Sequence, residues 1–102
     1  MRVLFVCNQN KHRSPTAAEL FKGRFETKSA GLFSDKPVSE KELSWADTIV
    51  VMEEEQGIEL AKRFPSILFQ KRVISLNVPD TFFYQQPELV ELLESKSYAL
   101  LA

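Results

Sequence analysis

The run Val3-Leu4-Phe5-Val6 is apolar without a break, and backbone of that kind is stable as a strand only where both of its faces are covered. After it come Ala17, Ala18, Leu20, Phe21 and Phe25 at helical spacing, then Thr27-Lys28-Ser29-Ala30 as a short second strand ending at Gly31. Residues 32 to 38, with Pro37 among them, are expected as a loop. Ser39-Glu40-Lys41-Glu42 has the form of a capping box and opens a helix to about Ala46, packed through Leu43 and Trp45. Thr48-Ile49-Val50-Val51-Met52 reads as a third, buried strand. Glu53 to Phe64 offers a helical face of Ile58, Leu60, Ala61 and Phe64, weakened by Gly57 and stopped by Pro65. Arg72-Val73-Ile74-Ser75-Leu76 makes a fourth strand, and Pro87 starts a last helix whose Leu89, Val90, Leu92, Leu93 and Leu100 dock on the sheet. This alternation predicts an α/β fold, a parallel sheet with helices on both faces. The 102 residues, 44% of them hydrophobic, suffice for one domain over 1–102 that folds without covalent staples.

Between the first strand and the first helix lies Cys7-Asn8-Gln9-Asn10-Lys11-His12-Arg13-Ser14-Pro15. No proline interrupts Asn8 to Arg13, so every amide from Asn8 through Lys11 and His12 can turn its N–H inward, and Ser14-Pro15 has the form of a cap and first helical residue. Successive inward amides at a helix N-terminus make a nest for phosphate-like dianions. A turn that tight needs positive φ somewhere. The segment has no glycine, but Asn8 and Asn10 tolerate that conformation, and Asn10 is the expected strained position.

Helix N-termini and neighbouring cations favour the thiolate over the thiol, so Cys7 is expected as an ionised nucleophile. Arg13 offers a planar fork for two equatorial phosphoryl oxygens. Ser14 can donate its hydroxyl to the sulfur and help it leave in a second step. Cysteine is also a common small core hydrophobe, and it is the placement between strand and helix that favours chemistry here.

Breaking a P–O bond leaves an oxyanion that needs a proton, a service worth about 10²–10⁴ in rate. In a parallel sheet Asn77-Val78-Pro79-Asp80 leaves its strand on the same edge as the Cys7 loop, so Asp80 is the candidate acid, and later the base for an attacking water. Pro-Asp is equally ordinary turn chemistry. Phe82, Phe83 and Tyr84 follow in a loop where large apolar side chains are uncommon, and can wall a pocket for an aromatic ring or anchor the loop to the core. Phe33 is a weaker wall candidate. His12 can be taken for a base in a Cys-His pair, but a side chain so near in a curled loop is apt to point away from the sulfur, and it can equally be a hydrogen-bonded prop or a modest cation. Glu53-Glu54-Glu55 balances a helix dipole rather than holding a metal.

The formal charge of −1 gives no electrostatic case for nucleic acid, so attraction for phosphate must be local, from Lys11, His12 and Arg13. The single cysteine excludes an internal disulfide and a cysteine zinc site. With no leader-like or membrane-length apolar segment in the sequence, a cytoplasmic protein that neither enters a membrane nor carries a cofactor is expected.

Cys7-Asn8-Gln9-Asn10-Lys11-His12-Arg13-Ser14-Pro15, the strand before it, Ser29-Ala30-Gly31, Ala46-Asp47-Thr48-Ile49-Val50-Val51-Met52 and Val78-Pro79-Asp80 together resemble the low-molecular-weight protein tyrosine phosphatase family over nearly the whole chain. The likeness is nearest to a group of short bacterial members. It implies a three-layer sandwich around a four-stranded parallel sheet in the order 2-1-3-4, reversing between strands one and three. It also implies Cys7 as nucleophile, Arg13 as phosphate clamp, Asp80 as general acid, and Asn10 and Ser14 as the residues that hold the loop and the thiolate. Three departures stand out. A second loop cysteine common in the family is His12, so oxidation of Cys7 is expected to run on towards irreversible acids. The family's loop glycine is Gln9. Typical members are longer, chiefly between Gly31 and Ser39, where their loop helps wall the pocket.

The resulting expectation is a metal-independent phosphatase acting on a phosphorylated substrate, phosphotyrosine in a protein, through a phosphocysteine. The alternatives are a phosphatase for a non-protein phosphomonoester, an arsenate reductase that borrows an external thiol, and a phosphate-binding module without turnover. The sequence leaves the oligomeric state open.

Overall fold

The computed structural model describes residues 1–101. Four parallel strands, β1 (Arg2–Cys7), β2 (Glu26–Gly31), β3 (Thr48–Val51) and β4 (Arg72–Ser75), form one sheet in the order β2-β1-β3-β4. The expected order and parallel sense are those observed. β1 is central, with Val3 opposite Thr27 on one side and Thr48 on the other. Val3, Leu4, Phe5 and Val6 are fully buried, each side chain stabilising the fold by about 1.5–3 kcal/mol through burial.

Because successive side chains of a strand point to opposite faces, those four residues feed two separate cores. Val3 and Phe5 join Val50 and Met52 beneath α1 (Arg13–Phe21), α5 (Pro87–Ser95) and α6 (Tyr98–Leu101), with the Phe5 and Phe21 rings stacked 5.9 Å apart. Leu4 and Val6 join Ile49 and Val51 under α2 (Glu40–Trp45), α3 (Glu54–Arg63) and α4 (Pro65–Phe69). The switch in strand order lies between β1 and β3, the place where ligands collect outside the carboxyl ends of such sheets, and Cys7 ends β1.

Several expectations need correction. α1 stops at Phe21, where Arg24 and Phe25 turn their amides back onto the Phe21 carbonyl beside Gly23; Phe25 packs on the core from outside the helix. Ser14 is not the cap of α1: His12 occupies that position, and no side chain caps it. In α3 Ile58 and Ala61 face solvent, and the buried line runs through Gln56 and Leu60 to half-buried Phe64. A polar residue sets the phase of that helix, so a count of apolar residues misplaces its inner face. α4 was not expected. Pro65 ends α3 and also starts α4, the position where its missing N–H costs nothing. The capping box of α2 is present, with Ser39 Oγ accepting from the Glu42 amide at 3.2 Å. Among the described residues no helix is long and apolar enough to cross a membrane.

Candidate active site

The loop after β1 is held from three sides before any ligand is considered. The Leu32 and Phe33 amides donate to the carbonyls of Cys7 and Asn8 at 3.0 and 2.7 Å, continuing the β1–β2 pairing past the strand ends. Asn8 turns its side chain away from the cavity, its Oδ1 accepting from Gln56 Nε2 at 3.2 Å. Gln56, 2% exposed, accepts in turn from the Met52 and Glu53 amides. Gly31 lies directly beneath: a Cβ there would meet the Asn10 amide nitrogen at 2.9 Å and the Gln9 carbonyl carbon at 3.0 Å. A loop without glycine thus takes its clearance from a glycine in the neighbouring strand.

Asn10 has φ 55°, the left-handed conformation expected of it, whereas Gln9 is not among the residues with positive φ. Glutamine at that position therefore carries no positive-φ strain. The turn brings the Asn10 amide to 3.2 Å from Cys7 Sγ. Ser14 Oγ stands 3.0 Å from the same sulfur, 2.9 Å from Asn10 Oδ1 and 3.4 Å from the Ala30 carbonyl. The hydroxyl has one proton to share among these three neighbours. These contacts, not a cap, occupy the Ser14 side chain inside the first turn of α1.

Arg13 is 1% exposed. Its Nη1 donates to Glu53 Oε1 and, at 2.8 Å, to the Val78 carbonyl; its Nε lies 3.7 Å from Asp80 Oδ1. One edge of the guanidinium is thereby committed to the protein, and a buried charge finds the partner it requires. Glu53 is the functional residue that sequence reasoning missed. It is the N-cap of α3, where its charge balances the helix dipole, and its carboxylate also holds Arg13.

Cys7, Gln9, Lys11, His12, Arg13, Asp80, Phe82 and Phe83 line one cavity of about 350 Å³. Phe82 is half-buried against the core and Phe83 is 73% exposed, so anchor and wall are divided between neighbours. Tyr84 does not line the cavity. Its hydroxyl accepts from Gln85 Nε2, while its amide donates to His12 Nδ1. Phe33 is also off the wall, 62% exposed and under the Arg63 guanidinium at 5.0 Å, beside a separate hollow. With Nδ1 accepting from an amide, the proton of a neutral His12 ring is on Nε2, and neither nitrogen is free to take a proton from Cys7.

This arrangement can seat a tetrahedral anion over a sulfur, neutralise it with a fixed guanidinium, and offer a carboxyl group at the rim. Compared by sequence, the chain matches no known family model and no curated protein. Compared by structure, it resembles the YwlE arginine phosphatase from Geobacillus stearothermophilus, at 22% identity over 98% of this chain and 92% of that one, with a TM-score of 0.77. A cysteine-to-serine variant of YwlE arginine phosphatase with a phosphorylated active-site serine aligns at 22% identity over 99% and 96%, TM-score 0.76. The low-molecular-weight phosphotyrosine phosphatase VcLMWPTP-2 from Vibrio cholerae O395 aligns at 19% identity over 99% and 94%, TM-score 0.78. At these identities the likeness is one of fold: the chain has the fold of the low-molecular-weight tyrosine phosphatases.

Proposed function

We propose that this chain is a cysteine-dependent phosphatase that hydrolyses phosphomonoesters, phosphotyrosine in proteins foremost, without a metal ion. The observation that carries the reading is Cys7 Sγ at the base of the cavity, with the Asn10 amide and the Ser14 hydroxyl on it and buried Arg13 beside it. Two donors converging on one sulfur are what a thiolate nucleophile needs.

The sulfur attacks phosphorus while the P–O bond to the leaving group breaks, and protonated Asp80 gives its proton to the departing oxygen. Arg13 and the loop amides carry the charge spread over the equatorial oxygens. Asp80, now a carboxylate, takes a proton from water as that water attacks the phosphocysteine. Phosphate leaves, and Ser14 stabilises the sulfur that departs from it. The structural neighbour with a phosphorylated serine in place of its cysteine supports a covalent intermediate on this fold.

Its neighbours include an arginine phosphatase as well as a phosphotyrosine phosphatase. Lys11 lines the cavity, and a cation there disfavours a guanidinium leaving group, whereas the flanking Phe83 suits an aromatic one. A phosphotyrosine peptide is therefore expected to be turned over with higher kcat/KM than a phosphoarginine peptide. An arsenate reductase would need an external thiol, since the chain has one cysteine.

The test is hydrolysis of an aryl phosphate by wild type and by Cys7→Ser. Loss of at least about 10³-fold in the variant is expected. Turnover that persists would remove Cys7 from the chemistry.

A further inference from the structure

Asp80 is 61% exposed at its side chain, and it stands on a segment with little of its own to hold it. At the near end that segment is tied to the sheet, with the Val78 amide donating to the Met52 carbonyl at 2.7 Å and the Val78 carbonyl accepting from Arg13. At the far end residues 83–86 close into a turn, in which the Phe83 amide reaches Gln86 Oε1 and the Gln86 amide reaches the Phe83 carbonyl. Gln85 there has φ 57°. The turn is seated on the first turn of α1 by two hydrogen bonds. The Tyr84 amide donates to His12 Nδ1 at 3.2 Å, and the Gln85 amide donates to Thr16 Oγ1 at 2.9 Å. Thr16 Oγ1 itself donates to the His12 carbonyl. The Phe83 ring meets the imidazole edge-on at 5.6 Å.

We propose that His12, neutral and with its proton on Nε2, is a positioning residue: through the Tyr84 amide it latches the segment carrying Asp80 to the loop carrying Cys7. The nucleophile and the acid come from opposite ends of the chain, and His12 is a side chain of one loop bonded to the backbone of the other. No substrate atom is needed for this contact. The inference rests on the phosphatase reading for its catalytic consequence, though not for the latch itself.

A latch on the acid segment has a signature that general damage lacks. Proton donation matters for a poor leaving group and little for an activated one. His12→Ala is therefore expected to lower kcat/KM, which reads the cleavage of the ester bond and not the later hydrolysis of the phosphocysteine, by about tenfold on phenyl phosphate and several times less on 2,4-dinitrophenyl phosphate. His12→Asn places its side-chain carbonyl where Nδ1 stands and is expected to recover most of the loss, whereas His12→Gln, whose carbonyl falls near Nε2, is not. In an Asp80→Asn background His12→Ala should cost nothing further on phenyl phosphate. Equal losses on both esters, equal behaviour of Asn and Gln, or losses that multiply with Asp80→Asn would each overturn the proposal. Hydrogen exchange at the Tyr84 amide reads the latch without turnover, and removal of its acceptor should speed that exchange by up to about tenfold. If wild type hydrolyses neither ester, the phosphatase reading fails while the exchange result still decides the latch. Unchanged exchange in His12→Ala would refute it. Should His12→Ala not fold, the contrast between Asn and Gln carries the same tests.

Discussion

Cys7, Arg13 and Ser14 are at most 3% exposed, while Phe83 and Tyr84, on the segment opposite, are 73% and 49% exposed. The cup is fixed several times over: strand pairing at its start, Gln56 on Asn8, Glu53 and the Val78 carbonyl on Arg13, and Gly31 beneath its turn. The segment carrying Asp80 hangs between one strand end and two hydrogen bonds to the start of α1. On the proposed function, phosphate recognition is built from buried groups with few alternative positions, and recognition of the leaving group from side chains that can adjust. If that division is real, changes in the cup should act on every substrate alike, and changes across from it should sort substrates.

The hardest test of the cup is Arg13→Lys. Lysine keeps the charge but has one nitrogen to offer, and cannot serve Glu53, the Val78 carbonyl and two phosphoryl oxygens together. We expect kcat/KM to fall by about 10³-fold for aryl and alkyl phosphates alike, measured by steady-state kinetics on both. A loss confined to one class would break the comparison, because Arg13 would then be sorting leaving groups.

Gly31→Ala probes the cup from below, where nothing touches a substrate. The added Cβ would crowd backbone atoms of Gln9 and Asn10, and neither is a flexible tip that can swing aside. Overpacking of this kind costs about 1–3 kcal/mol, to be read from denaturant unfolding. Because the displaced atoms include the amide that faces Cys7 Sγ, inhibition by inorganic phosphate should weaken by about tenfold, in proportion to a loss near 1.4 kcal/mol. Lost stability with phosphate binding intact would show that the turn tolerates displacement and is less constrained than its contacts suggest.

How much of this was legible in the sequence follows the same division. The strand order, the capping box at Ser39 and the left-handed Asn10 rest on local chemistry, on periodicity and on a likeness carried by contiguous residues, and all are observed. The tie between Arg13 and Glu53 spans forty positions. It exists because β1 and β3 are adjacent in a sheet, which spacing along the chain does not express. Gln56 escaped for a related reason: a buried polar side chain is justified only by partners in another element. His12 as a prop was within reach, since a loop histidine unsuited to be a base still needs a bonding partner, but its contact seventy-two residues away was not.

The mildest perturbation, Phe83→Ala, sharpens the comparison from the exposed side. The ring is mostly in solvent, so little apolar area is lost, and its edge-on contact with His12 is worth about 0.5–1.5 kcal/mol at most. Stability should change by no more than that. KM for an aryl phosphate should rise about threefold as one face of the ring loses its neighbour, while the inhibition constant for inorganic phosphate, which needs only the cup, should stay where it is. The two constants, measured on the same preparation, separate wall from cup. Were phosphate binding to weaken in step with KM, the exposed ring would be supporting the buried loop through His12, and the two regions would have to be treated as one cooperative unit.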